Sequence, residues 1–323
     1  MKISAKAIYK LTLLWAFAES GLGGMLHAFR LPVTGLVLGA FAVLIISLIA
    51  HFSQHVWADI MKATLLVLAV KLTISPHSPL TAYVAVFFQG LAGACVFSFI
   101  GRSRSSVLFF SVIVLVESAL QRPLLATLVF GTEVWLAIDS LINQLLGFFS
   151  LSINQSFSLL FISAYTLLHL LWGAVVGFWA YTVPEKLNSL AVDVEKLPKA
   201  INVQQTKVEK SKVILWFIVL LVILALILYL VQASNPFYYI IRTSLLLVVV
   251  YFVLGPLLRL MLKRSAAHQQ NFLSDFSQAL PALQLSVARA YHLATTESHL
   301  FTRYKRFVLY LLFLNLIVDE ANA

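Results

Sequence analysis

Long apolar stretches that alternate with short polar ones dominate the pattern along this chain. A membrane-spanning helix needs about 20 consecutive, mostly apolar residues. The stretches that approach this length are residues 8–29, 31–52, 57–75, 79–101, 105–122, 157–183, 213–233 and 237–262. The pattern therefore predicts an all-α, polytopic integral membrane protein with a six-helix N-terminal bundle and two further transmembrane helices.

The interval between the fifth and sixth stretches, residues 123–156, contains a pattern of its own. Apolar side chains recur at helical spacing on one side, opposite polar ones on the other. The apolar residues are Trp135, Ile138, Ile142, Leu145 and Phe149, and the polar ones are Glu133, Asp139 and Asn143. Such a stripe is typical of an interfacial helix. We predict an external lid helix here, and an additional membrane span is the alternative.

Polar composition divides the chain into four parts. Residues 184–212 interrupt the apolar pattern with two prolines and six lysines, which predicts a cytoplasmic linker between a membrane bundle at 1–183 and a two-helix membrane unit at 213–262. Residues 263–323 have the spacing of amphipathic helices. Their last apolar run, 307–318, is too short to span a bilayer, so this helical tail is expected to lie on the membrane or bury against a partner.

Composition excludes a soluble protein. Of 323 residues, 61% are hydrophobic and 11% are charged, and the mean hydropathy is +0.93. The net charge of +10 does not indicate nucleic-acid binding, because the basic residues fall in short segments between apolar runs, where positive charge marks the cytoplasmic side. We therefore expect a multi-pass protein of the cell (inner) membrane with both termini cytoplasmic.

Several kinds of chemistry leave no signature in the sequence. Cys95 is the only cysteine, which excludes an intramolecular disulfide and a cysteine-ligated metal centre. There is no HExxH metal motif, no phosphate-binding Walker motif and no nucleophile elbow. No cofactor and no metal are expected. A cleavable signal peptide is not expected either, because the first apolar stretch, Leu11 to Trp15, is too short.

The segment from Lys71 to Gly90 contains the best candidate for one wall of a small-molecule site. Pro76 and Pro79 predict a sharp break between two apolar helices, with the residue before each proline in extended geometry. Close to this turn in sequence lie Lys71, His77 and Gln89. Polar and ionisable groups near a bilayer core usually face a cavity or another helix.

Other ionisable residues lie within the predicted spans. Glu19 and His27 lie on one face of the first helix, about 12 Å apart at the rise of an α-helix. Glu117 and Arg122 come at the end of the fifth span, before Pro123. These residues suit ligand binding, but structural roles are equally open: Glu19 would pair with a buried cation such as Lys71, and Arg122 would extend to the membrane surface.

The first helix also carries small residues at four-residue spacing, Ala16, Ser20 and Gly24, which permit close helix packing. This edge, together with AESGLGGMLHAF, LPVTGLVLGAFAVLIISLIA, ATLLVLAVKL and SPHSPLTAYVAVFFQGLAG, resembles the substrate-binding S component of energy-coupling factor transporters. The resemblance covers residues 1–183.

The resemblance implies a solute held near the outer surface, with His77, Glu117 and Arg122 at ligand-holding positions. It also implies that Ala16, Ser20 and Gly24 pack on a T component, which links to two ATPases. T components have a short Ala-Arg-Gly signature after amphipathic helices; here Ala288-Arg289-Ala290 lacks the glycine, and Arg289 is the matching partner-contact residue.

The leading hypothesis is therefore a membrane substrate-binding or uptake subunit for a small solute, such as a vitamin, its precursor or a metal ion, that works with a separate ATPase. One alternative is a membrane-embedded enzyme for a lipid or prenyl substrate, with Glu19, His27 and Glu117 as acid/base groups. The other is an assembly protein whose tail recruits a cytoplasmic partner.

Overall fold

The computed structural model describes residues 5–28, 34–75, 78–148, 156–190, 266–295 and 299–316. Every regular element in these ranges is a helix, as the apolar pattern predicts. The spans predicted at 213–233 and 237–262 and most of the predicted linker lie outside the described residues.

The helices follow one another with short connections. They are α1 (Ala5–Phe17), a π-helical turn π1 (Ala18–Leu22), α2 (Gly23–Ala28), α3 (Thr34–Phe52), α4 (Val56–Ile74), α5 (Leu80–Phe99), α6 (Arg104–Phe130), α7 (Glu133–Gly147), α8 (Phe157–Leu190), α9 (Ala266–Ala294) and α10 (Leu300–Leu316).

Four helices in the described part of the chain are long and apolar enough to cross a membrane. They are α3, α5, α6 and the part of α8 from Phe157 to Leu187. The membrane character of the protein rests on these four. The stretches predicted at 8–29 and 57–75 also form helices but are not among them; α4, for example, includes Asp59, Lys62 and Lys71. The count of six spans in this half stays a prediction.

Prolines end helices at one place and not at others. Between α4 and α5 the predicted break is present: Ser75 leaves helical geometry, and Pro79 is extended at φ −62° and ψ 146°. By contrast, α6 continues through Pro123 to Phe130 and α8 continues through Pro184 to Leu190. The predicted helix ends at 122 and 183 are therefore wrong. A single proline removes one hydrogen bond, and apolar helices tolerate this where neighbouring groups compensate.

The chain divides into two compact units. Among the described residues, the first comprises those up to residue 118, those of 169–190 and those from 266 onward, and the second comprises those of 119–168. The core of the first unit contains buried apolar side chains of α1, α3, α4, α5 and the C-terminal helices.

The C-terminal helices α9 and α10 pack against α1. The Tyr9 ring meets Phe272 edge-on at a centroid distance of 5.4 Å, and the Tyr9 hydroxyl donates a hydrogen bond to the Asp275 carboxylate. Phe276 and Phe313 are almost fully buried in the same core. The sequence predicts that this tail lies on the membrane or buries against a partner. Instead, helices of its own chain cover its apolar face.

In the second unit, α7 buries a polar residue and exposes apolar ones. Asp139 is the buried residue of α7, whereas Ile138 and Leu145 are exposed. The Asp139 carboxylate accepts hydrogen bonds from the Ser156 hydroxyl at 2.6 Å, the Ser158 backbone N–H at 2.7 Å and the Ser158 hydroxyl at 3.0 Å. It thus satisfies donors at the start of α8, where backbone N–H groups have no partner within the helix. Phe149 lies outside the described residues.

We expect the C-terminal packing to contribute strongly to stability. Phe313 is 1% exposed in the first unit. Replacing it by alanine should therefore lower the free energy of unfolding by about 3–5 kcal/mol, the usual cost of emptying a buried phenylalanine site. Denaturant unfolding of the purified protein in detergent measures the loss. The matched control is Phe99→Ala, because Phe99 is 80% exposed. Equal stability of the two variants would contradict the packing described above.

The contact between α7 and the start of α8 should depend on pH. Hydrogen bonds from Ser156 and Ser158 lower the pKa of Asp139 below its ordinary value. A lowered carboxyl pKa stabilises the contact above the ordinary value of about 4, and this stabilisation is lost as the pH falls through the folded-state pKa. Asp139→Ala should therefore reduce amide-exchange protection in α7 at pH 7, and its difference from the unaltered protein should shrink steadily as the pH is lowered below about 4.

Hydrogen exchange corrected for intrinsic rates provides this measurement. Ser140→Ala is the matched control, because Ser140 is an exposed neighbour on the same helix. Unchanged α7 protection in Asp139→Ala at pH 7 would show that the carboxylate does not hold this contact.

Candidate functional site

A buried ion pair lies within the first unit. The Lys71 ammonium donates a hydrogen bond to Glu19 Oε2 at 2.6 Å, and the two side chains are only 1% and 4% exposed. Removing two charges from water costs several kcal/mol per ion unless the ions pair closely. The structural alternative considered for Glu19, pairing with Lys71, is therefore confirmed.

Two irregular stretches of backbone bring this pair together. Glu19 lies in π1, where the Gly23 backbone N–H donates to the Ala18 carbonyl over five residues. Single π-helical turns inside α-helices occur frequently at functional sites, since the extra residue turns the following side chains to a different face. Lys71 lies in the last turn of α4, and its carbonyl accepts the Ser75 N–H that closes the helix.

The turn after α4, which follows Lys71 in the chain, contains hydrogen-bonded hydroxyl groups. The Tyr83 hydroxyl donates to the Ser75 carbonyl at 2.7 Å, and the hydroxyls of Ser75 and Ser78 are 2.9 Å apart. The Tyr83 ring centroid lies 6.0 Å from Lys71 Nζ, within reach of a weak cation–π attraction. Glu19, Lys71, Ser75, Ser78 and Tyr83 form one polar group, which we call the Lys71 cluster.

The Lys71 cluster has hydrogen-bonding capacity left over. An ammonium group has three N–H donors, and Glu19 is the one hydrogen-bond acceptor found for Lys71 in the described part of the chain. Next to Glu19, the Ser20 hydroxyl is buried without a hydrogen-bond partner among those residues. The Lys71 ammonium therefore has N–H donors beyond the one that Glu19 accepts.

The small residues of the first helix pack within the chain. Ala16 and Ser20 are buried, and a methyl group added to Gly24 would lie 3.0 Å from the Ser75 hydroxyl. One added to Gly23 would lie 3.2 Å from Leu38. These residues let α2 approach the Ser75 turn and α3. Contact of the same residues with a T component stays a prediction.

Two more predicted site residues, Gln89 and Glu117, lie in the first unit. Gln89 is 4% exposed on α5, and Glu117 is half-buried on α6. Each has a buried side-chain oxygen, Oε1 of Gln89 and Oε2 of Glu117, without a hydrogen-bond partner in the described ranges.

The remaining predicted residues do not join this group. Arg122 is exposed on α6 in the second unit, and Arg289 is half-buried on α9. His77 and the side chain of His27 lie outside the described residues. His169, an isolated histidine of the sequence, is fully buried on α8.

Tyr83 is a site residue that sequence reasoning missed. A signal for it is present in the sequence, because each of the two helices joined by the short turn carries a pair of residues seven positions apart. On α5, Tyr83 and Gly90 are seven residues apart, as are Lys71 and Thr64 on α4. A methyl group on Gly90 would lie 2.0 Å from the Thr64 hydroxyl, and Tyr83 lies against Lys71. The two stripes therefore face each other along the helix pair.

The described residues contain no group of three or more His, Cys, Asp or Glu side chains that could hold a metal ion. In comparisons with protein-family models, curated proteins and solved structures, nothing matches the chain.

The ion pair should behave as a coupled unit. Lys71→Met or Glu19→Gln alone leaves a buried charge without its partner, so each should destabilise the protein by about 3–5 kcal/mol. The double variant should recover most of that loss, since no uncompensated charge remains. Thermal unfolding of all four proteins in detergent completes the cycle.

Lys62→Met is the matched control for the cycle, because Lys62 is an exposed lysine on the same helix. We expect its stability to equal that of the unaltered protein. Additive losses in the double variant would mean that Glu19 and Lys71 do not interact.

Proposed function

We propose that the protein is a membrane subunit that binds or takes up a small solute and works with a separate ATPase. The observation that carries this proposal is the Lys71 cluster, a buried ion pair with unused N–H donors beside the turn between α4 and α5. Ionisable residues inside membrane segments are costly, and they commonly mark substrate or ion pathways.

The character of the surrounding helices supports binding of a solute. Helices α3 and α5, which pack beside the cluster, are long and apolar enough to span a bilayer. A site that combines apolar walls with a few converging polar groups is the usual form of a small-molecule site. The Lys71 cluster offers an ammonium, hydroxyls and an aromatic ring in such surroundings.

The remaining parts of the proposal rest on the sequence. The resemblance of residues 1–183 to S components favours a six-span bundle, an outward-facing site and a vitamin, its precursor or a metal ion as solute. The basic segments favour cytoplasmic termini in a cell (inner) membrane. Energy would come from another chain, since this sequence contains no Walker motif. Association with a T component and ATPase subunits belongs to the same proposal.

A ligand screen on the purified full chain tests the proposal. The probes are the B-group vitamins and Ni²⁺ and Co²⁺ salts, measured by thermal shift in detergent. We expect at least one probe to raise Tm, because a ligand at about 100 times its Kd stabilises the folded state by about 2.7 kcal/mol. A chain that none of these probes stabilises would contradict the solute-binding proposal.

The same assay separates a functional from a structural role for the cluster. The double variant Glu19→Gln with Lys71→Met keeps the charge balance but removes the ammonium donors. It should fold and yet bind the stabilising probe at least about tenfold more weakly, the effect of losing one charged hydrogen bond. Lys62→Met should bind normally. Normal binding by the double variant would leave the cluster with a structural role alone.

A further inference from the structure

Two buried acceptor oxygens in the first unit have no donor. Oε1 of Gln89 and Oε2 of Glu117 are both buried without a hydrogen-bond partner in the part of the chain that the structure describes. Burying a polar group without a partner costs free energy, and burying a carboxylate costs far more. Native structures keep such groups rarely, and each one calls for a physical reason.

The helix register places the two groups on facing sides of α5 and α6. These helices are joined by residues 100–103 and run antiparallel. The ring of Phe97 on α5 lies 5.1 Å from that of Phe110 on α6, and a methyl group on Gly93 would lie 2.5 Å from Ile46 on α3 and 3.2 Å from the Phe110 ring. Gln89 is one turn before Gly93, and Glu117 is two turns after Phe110, so both continue these contacting stripes.

Both residues lie toward the same end of the helix pair, beyond these aromatic contacts. Gln89 is six residues from the midpoint between Gly93 and Phe97, or about 9 Å at the rise of an α-helix. Glu117 is seven residues from Phe110, or about 10 Å in the same direction. We call this pair the Gln89–Glu117 site.

Nearby helices do not supply a balancing charge. Helix α3 packs closely on α6 here: a methyl group on Gly35 would overlap the Ser118 hydroxyl, and one on Gly39 would overlap Leu115. From Thr34 to Ala50, α3 has no ionisable side chain, and α5 has no Asp, Glu, Lys, Arg or His.

The other titratable groups of the first unit are oriented elsewhere. Lys71 is already neutralised by Glu19. His169 shares the α8 stripe of Gly173 and Gly177, which meets Val112 and Leu108 on a different side of α6 from Glu117. None of these groups therefore supplies an opposite charge to Glu117.

We propose that the Gln89–Glu117 site binds a positively charged nitrogen group of the solute, an ammonium or amidinium. Until a cation binds, the buried Glu117 carboxyl holds a proton, which leaves to solvent on binding. The N–H groups of the cation then donate to the carboxylate and to the Gln89 amide oxygen, which satisfies both acceptors. This assignment rests on the proposed solute-binding function and adds the chemical class of the solute.

The test uses labelling of Glu117 by dicyclohexylcarbodiimide in the purified full chain. A protonated buried carboxyl adds across the carbodiimide and rearranges to a stable N-acylurea without a leaving group, and peptide mass spectrometry locates the product. The competitors are benzamidine, benzamide and benzoate at millimolar concentration, which share a ring but carry positive, zero and negative charge.

We expect labelling at Glu117, slowed by at least about tenfold by benzamidine and unaffected by benzamide or benzoate. Glu117→Gln should abolish the label and the thermal shift by benzamidine. Gln89→Leu should keep the label but weaken the protection, whereas Gln144→Leu, at an exposed glutamine, should behave like the unaltered protein.

Other results would overturn the assignment. The assignment is wrong if the folded protein is not labelled at Glu117, or if benzamidine gives no protection. It is also wrong if all three competitors protect equally, or if Na⁺ alone protects. If a vitamin or metal probe stabilises the protein and its Glu117→Gln variant equally, solute binding stands and the cation site is wrong. If no such probe stabilises the chain while benzamidine protects Glu117, the proposed function fails instead.

Discussion

The burial of one ammonium and one carboxylate among apolar helices sets the strongest constraint on the first unit. Lys71 and Glu19 are separated by 2.6 Å and almost inaccessible to solvent. An uncompensated ion in that place would cost several kcal/mol. Because one residue of α-helix turns a side chain by about 100°, a register shift of either helix would separate the charges. The π-helical turn and the Ser75 turn therefore have to keep their geometry together.

Close approach of the helices is the second constraint, and small residues satisfy it. On α5, Gly90 faces Thr64 of α4 and Gly93 faces Ile46 of α3, and in both places an added methyl group would overlap its neighbour. Between helices surrounded by lipid there is little hydrophobic driving force, so dense packing has a larger share in holding them together. Because this packing determines which face each helix presents to its neighbour, it also determines which polar side chains meet. The positions of Tyr83 and Gln89 follow from this packing.

The sequence predicts the features that local physics determines. Apolar stretches predict the helices, and Pro76 and Pro79 predict the break after Ile74, because the effect of a proline on its neighbours is local. The pairing of Glu19 with Lys71 is available as an alternative, since a buried charge needs a partner. Yet sequence cannot decide whether that partner is a side chain or a ligand.

Features that depend on distant residues escape the same reasoning. Pro123 and Pro184 lie inside continuous helices, so the effect of a proline depends on which groups compensate for it. An amphipathic pattern also predicts that the apolar face of a helix is covered, but it does not predict which element covers that face. The C-terminal helices cover theirs with α1, and α7 buries Asp139 because the start of α8 offers donors.

The two polar sites of the first unit differ in charge balance, and this difference bears on their roles. A paired and hydrogen-bonded group such as Glu19 and Lys71 is compatible with folding alone, since it fixes the register of two helices. Glu117 has no comparable explanation. A leucine or methionine at that position would fill the same space between α5 and α6 without a buried unpaired oxygen, and the protein would lose nothing in packing. Burial of Glu117 costs stability, and no neighbouring residue offsets that cost. A positively charged ligand therefore explains this residue better than the fold does.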